Sequence, residues 1–191
     1  MKRYVLLFCL SIIGGISYSQ LTIFAAKEYS KDVAVFQAKE FLMTEVLGES
    51  AQNVQFEVDA LAAATSLEVI SLWYKCESMG KEGLIIGFYG YVVNEAGLGY
   101  NQYAFRDFPK EKAIDFINKI DVVKSENTKW VSGSDNVRNV YFSFDDITLL
   151  LYQSETEIGT TTLRLFWKGF DATWEGGPYS RTKKRLFKKM D

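Results

Sequence analysis

The stretch VYFSFDDITLLLYQSETEIGTTTLRLFWKGFDATW, residues 140–174, decides how the rest of the chain reads. Val140, Phe142 and Phe144 occupy alternate positions, with Tyr141 and Ser143 between them. Asp145-Asp146 interrupts the pattern, and Ile147 to Tyr152 is then almost continuously apolar. Leu163, Leu165 and Trp167 alternate with Thr162, Arg164, Phe166 and Lys168, and Phe170, Ala172 and Trp174 extend the series. Successive side chains of an extended strand point to opposite faces. This spacing therefore predicts an antiparallel meander with one greasy face.

Upstream, the same alternation recurs at Val54, Phe56, Val58 and Ala60, and again over Leu67–Cys76. Leu84 to Val93 is apolar on both faces, which marks a strand covered on two sides, and Gly87 and Gly90 within it suggest close approach by another backbone. A turn at 94–99 leads to an aromatic strand through Tyr100, Tyr103 and Phe105. Two stretches have helical spacing instead. Asp32 to Leu47 places Val35, Ala38, Leu42 and Val46 on one stripe. Pro109 opens a second helix whose face is Ala113, Ile114, Phe116, Ile117 and Ile120. Ser125 to Asn139 is polar and reads as a loop, and Glu175-Gly176-Gly177-Pro178 as the end of the domain. No repeat is evident in the sequence. The fold class is α+β: a mainly antiparallel sheet of about six to eight strands with one or two helices packed on it, an all-β barrel or sandwich being the alternative.

Composition sets the compartment and limits the chemistry. The chain has 191 residues, 48% hydrophobic and 24% charged, an ordinary balance for a folded domain. Lys2 and Arg3, the greasy run Tyr4 to Ile13, and Ser17-Tyr18-Ser19 read as a signal peptide over residues 1–19, cleaved before Gln20. A mature domain would then span 20–178 and a basic C-terminal tail 179–191. Loss of the leader also removes Cys9, leaving Cys76 unable to form an intramolecular disulfide. Cys76 alternates with Ile70, Leu72 and Tyr74, so a buried, inert thiol is expected. The expected location is periplasmic or secreted.

The chain contains no histidine, which excludes Ser-His-Asp and Cys-His nucleophilic systems and the common zinc and copper ligand sets. An oxygen-only calcium site at Ser132–Asn136 lacks the carboxylate density such loops show. Gly97-Leu98-Gly99 has Gln102 where a dinucleotide loop needs a third glycine, and no helix opens there. The sequence thus assigns no catalytic residue, no cofactor and no metal. Carboxylates are the remaining route to acid–base work. Asp145-Asp146 suits a hairpin turn, and Glu155, Glu157, Asp171 and Glu175 follow it.

Arg181, Lys183, Lys184, Arg185, Lys188 and Lys189 place six cations within nine residues. Gln20 to Ser180 carries 23 acids and 14 bases, a net of −9, whereas the residues from Arg181 onward sum to +5. A basic tail of this kind suits an anionic envelope component (lipid headgroups or acidic polysaccharide) or an acidic protein, and no nucleic acid is expected. Its bland alternative is a tail folded against its own acidic body. Tyr89, Tyr91, Tyr100 and Tyr103, with Trp167 and Trp174, are either core or a ligand surface.

The leader ending Ser17-Tyr18-Ser19-Gln20, with the ending through Phe166-Trp167, Trp174 and Arg181-Thr182-Lys183-Lys184-Arg185, resembles small exported proteins of unknown function from Gram-negative bacteria. The resemblance implies an envelope or secreted location and lends no catalytic residue. The expected function is an exported, non-enzymatic binding or structural domain located by its basic tail. The alternatives are a histidine-free hydrolase or lyase using carboxylates between Asp145 and Glu175, and a ligand-carrying β-barrel. An enzyme should gather two of those carboxylates in one concave site, whereas a binding module should disperse them on turns and expose an aromatic patch.

Overall fold

The computed structural model describes residues 32–93, 96–133, 137–154 and 161–191. The expected leader and the expected edge strand at Leu21–Ala26 lie outside them. The chain divides into two compact units, Met1–Gln37, whose described residues are helical, and Ala38–Asp191, which holds everything that follows.

Helix α1 covers residues 32–41 and runs on as a π-helical segment, Leu42–Leu47. Four strands follow: β1 (Glu57–Ala63), β2 (Val69–Cys76), β3 (Lys81–Val93) and β4 (Gly99–Pro109). They pair antiparallel in sequence order. Helix α2 (Lys110–Val131) leads to a second meander of β5 (Val140–Phe144), β6 (Ile147–Gln153), β7 (Thr161–Trp167) and β8 (Phe170–Trp174), and helix α3 (Gly176–Met190) closes the chain. Two open four-stranded antiparallel sheets with helices make an α+β fold, not a closed barrel. The element order is therefore a four-strand meander plus a helix, twice over, a repeat that residue identities do not display.

The second meander keeps the parity its sequence predicts. Ile147, Leu149, Leu151, Leu163, Leu165, Trp167, Phe170, Ala172 and Trp174 all enter one core, while Tyr141 and Arg164 face out. Lys168 and Gly169, both with positive φ, form the β7–β8 turn, whose left-handed residues match the twist of the strands they join. From the first sheet, Val69, Trp73, Leu84, Ile86, Phe88 and Phe108 enter the same core, joined by Phe116, Ile117 and Ile120 of α2. The other face of that sheet is also dry, because Leu72, Tyr74, Cys76 and Ile85 are buried. Ala38 and Leu42 are buried nearby, and the Phe41 ring lies 5.7 Å from Phe105. Cys76 is a buried free thiol, with Ser78 Oγ at 3.5 Å from its sulfur.

Two elements depart from the sequence reading. Helix α2 runs to Val131, through 125–131, the first seven residues of the expected loop, because Val123 and Val131 are buried and its polar side chains bond back along the helix. Asn127 Nδ2 donates to Val123 O at 2.8 Å and Thr128 Oγ1 to Lys124 O at 2.6 Å. Glu175–Pro178 does not end the folded chain but opens α3, with proline in the first turn, where its missing N–H has no intrahelical partner to lose. Tyr179, Thr182, Leu186 and Met190 recur at three-and-four spacing and are buried, so residues 179–190 form core-covering helix and not a detached tail.

Candidate functional site

Helix α3 is held down on one side by that buried stripe. Ser71 and Thr182 hydroxyls meet at 2.6 Å inside the molecule, and Tyr179 Oη donates to Asp121 Oδ1 at 2.8 Å. Burial, reinforced by the Asp121 carboxylate, pushes the Tyr179 phenol well above its usual range. Among the six predicted cations, Lys183 pairs with Asp121, Arg185 donates to Leu61 O, and Lys189 pairs with Asp59 at 2.9 Å while lying over Trp73. Arg181, Lys184 and Lys188 are exposed and have no ion-pair or hydrogen-bond partner among the described residues. The structure thus separates the cluster into three inward-bonded cations and three outward ones.

Among the described residues the predicted carboxylates Asp145, Asp146, Asp171 and Glu175 do not gather in one site but hold structural positions. Asp145 and Asp146 form the β5–β6 turn and reach across to the first half of the molecule. Arg106 Nε donates to Asp146 Oδ1 at 2.8 Å, Trp167 Nε1 donates to Asp146 Oδ2 at 2.8 Å, and Lys112 Nζ lies 2.7 Å from Asp145 Oδ2. Desolvation raises the Asp146 carboxyl, but the hydrogen bonds from Trp167 and Arg106 outweigh it and hold the group below its ordinary value. Glu175 accepts the backbone N–H groups of Thr65 at 3.0 Å and Ser66 at 2.9 Å, in the β1–β2 turn. From that turn Glu68 accepts the Thr173 N–H at 2.7 Å, so the β8 edge is stapled to the first sheet. Asp171 pairs with Arg164 on the outer face of the second sheet. Glu155 and Glu157 lie outside the described residues, as does part of the Ser132–Asn136 stretch. Among the described residues no group of three or more Cys, Asp or Glu stands where it could hold a metal ion.

The aromatic residues split just as sharply. Trp167 and Trp174 belong to the core, where Trp174 is 1% exposed and stacks against Phe116 at 6.4 Å. Tyr103 stacks on Phe105 at 6.2 Å and meets Tyr89 at 4.6 Å, continuing the ring series begun by Phe41 and Phe105. That series leads onto an arm. Strand β2 pairs with β3 only as far as Phe88, and Tyr89 N–H still donates to Glu68 O at 2.8 Å, so 90–93 and 99–102 are the residues whose strand pairing is with each other only. On this arm Tyr91 is 69% exposed, and Val93, Leu98 and Tyr100 are also exposed. The Tyr91 ring lies across Gly99, where a side chain would collide with it. The missing side chain is what lets the ring lie flat there.

One polar site escaped the sequence reading. A cleft of ≈ 380 Å³ at the foot of the first sheet is lined by Glu45, Val46, Lys81, Glu82, Asp107 and Lys110, beside the π-helical segment. Asp107 and Tyr74 share a hydrogen bond there, and burial raises both groups. Asp107 Oδ1 is buried without a hydrogen-bond partner. Both lysines are already committed: Lys81 donates to Val46 O, and Lys110 to Glu82 Oε2 at 3.0 Å and Met190 O at 2.8 Å. Two further clefts of ≈ 450 and ≈ 500 Å³ share Phe56 and Glu57 at the start of β1, and Lys189 lines the second. The Tyr74–Asp107 contact joins strands β2 and β4, which do not pair, so no local pattern announces it.

No family model, curated protein or solved structure matches the chain.

Proposed function

We propose that the protein is an exported, non-enzymatic binding domain whose partner contacts the β3–β4 arm. The observation that carries this reading is the overhang: a two-stranded ribbon, anchored at its base by Tyr89 N–H to Glu68 O and by Gly90 against the Phe170 ring, that presents Tyr91, Val93, Leu98 and Tyr100 to solvent. Two strands alone are marginal in water, and exposed large apolar side chains on both faces of such a ribbon, Tyr91 and Val93 on one and Tyr100 on the other, suit a contact that buries them. Among the described residues β4 pairs only with β3, so its outer edge also offers backbone donors and acceptors to an added strand. The binding reading is supported by the commitment of Asp145, Asp146 and Glu175 to joining the two halves, which leaves them already engaged.

The test has two arms. Mass spectrometry of exported material should find a mature chain beginning at Gln20; an intact leader would contradict the export half of the proposal. Quantified capture from envelope extract should then fall at least tenfold in a Tyr91→Ser, Val93→Ser variant whose unfolding midpoint is unchanged, a loss on the order of one or two removed hot spots. Undiminished capture by that variant would remove the arm as the contact.

A further inference from the structure

Arg181, Lys184 and Lys188 follow one another at spacings of three and four, so they form a single stripe on the solvent side of α3. At 1.5 Å rise per residue the stripe is about 10 Å long. Its backing is rigid, because Tyr179, Thr182, Leu186 and Met190 on the opposite side are buried. None of the three cations lines a cleft described above; all three are exposed on the outer side of a helix, which is convex across its axis. Asp191, three residues beyond Lys188, bounds the stripe. Lys183, Arg185 and Lys189 bond inward, so the face itself carries the three positive charges of Arg181, Lys184 and Lys188. The body's net over Gln20 to Ser180 is −9, and it is these three that draw anions.

We propose that the stripe docks the protein on an anionic bilayer through lipid phosphate headgroups. A convex row of cations touches a plane at all three positions together. A folded acidic protein would instead need a surface shaped to meet all three at once, and a linear polyanion is told apart by the dextran sulfate arm of the test. Binding through three cations and no inserted apolar group is reversible and salt-sensitive. The export reading bears only on which membrane is met, and the experiment below does not depend on it.

The purified protein is sedimented with vesicles of phosphatidylcholine alone or mixed with phosphatidylglycerol, at low and at physiological salt. The expected result is partition onto the anionic vesicles only, weakening as salt rises. An Arg181→Gln, Lys184→Gln, Lys188→Gln variant should lose roughly a hundredfold at low salt, about fivefold per cation. A Lys119→Gln, Lys129→Gln, Lys168→Gln variant removes the same charge from other surfaces and should lose less than tenfold. Circular dichroism checks that both variants are folded. Equal losses in the two variants, or no preference for anionic vesicles, would overturn the proposal. Binding to dextran sulfate without partition onto vesicles would overturn it in favour of a soluble polyanion. Capture through the β3–β4 arm should be unaffected by either variant, so the two proposals fail separately.

Discussion

The two meander-plus-helix halves share a topology and differ in how their sheets meet water. The central strands of the first sheet, β2 and β3 up to Phe88, are buried on both faces, with Leu72, Tyr74, Cys76 and Ile85 as dry as Leu84 and Phe88 opposite them. The second has one dry face and one wet face, on which Tyr141 is 78% exposed and Arg164 pairs with Asp171. The difference is written in the residues: β2 is VISLWYKC, nearly all apolar, whereas β7 is TTLRLFW, with an arginine on its outer side. A strand covered twice needs apolar residues at every position, and a strand covered once needs them at every second position. The doubly covered half also carries the overhanging arm, so the exposed apolar surface proposed for binding belongs to the sheet whose body is most thoroughly hidden.

If the halves share one core, they should unfold together. Trp174→Ala removes a ring that touches α2 through Phe116 and α3 through Tyr179, and should cost about 3–5 kcal/mol in a single urea transition. Two separated transitions would show that the halves are independent. The contrast in coverage is tested next. Leu72→Ala on the outer face of the first sheet should cost about 2–5 kcal/mol. Tyr141→Ala on the outer face of the second should stay within about 0.5 kcal/mol. Similar costs at the two positions would mean that the first sheet's outer face is not dry.

A smaller effect tests how α3 is attached to the first half. Thr182→Val removes one bond from the buried Ser71 hydroxyl, which keeps Ala62 O at 3.1 Å and the Ala62 N–H at 3.2 Å, so it should cost only about 0.5–1.5 kcal/mol and combine with Ser71→Ala to less than the sum of the two. Additive losses would show that the two hydroxyls do not act as a pair.

The smallest effects are in pH dependence, and the two halves should differ in sign. Asp107 binds its proton more tightly folded than unfolded. The stability this provides is complete below the ordinary carboxylate value of about 4 and is lost as pH rises through the raised folded value. Asp107→Asn should flatten that decline in thermal melts taken across the window. Asp146 is shifted downward, so its contribution is present above about 4 and lost as pH falls through the lowered value. Asp146→Asn should flatten the acid limb instead. The same change in slope from both variants would contradict the assignment.

The parity of the second meander was legible because a single covered face leaves an alternating trace, and the covered part of β3, Leu84–Phe88, showed itself by having no trace at all. The same apolar run continues through Tyr91 and Val93, which are exposed, so the expectation of double cover up to Val93 fails on the arm. Helix α3 was hidden by its own charges: Tyr179, Thr182, Leu186 and Met190 carry a helical stripe, but the cations between them read as a solvated run. The roles of Asp145, Asp146 and Glu175 were equally hidden, because Arg106, Lys112 and the Thr65–Ser66 turn lie far off in sequence. Local periodicity reports burial well and reports partners across sheets poorly.

The most direct test of the functional reading sets the two halves against each other in the cell. Benzoylphenylalanine is placed at Tyr91 on the arm or at Tyr141 on the second sheet, two tyrosines of comparable exposure. On irradiation a discrete cross-linked species should form from position 91 and not from position 141. Cross-linking from 141 alone, or from both positions equally, would contradict an arm-borne contact.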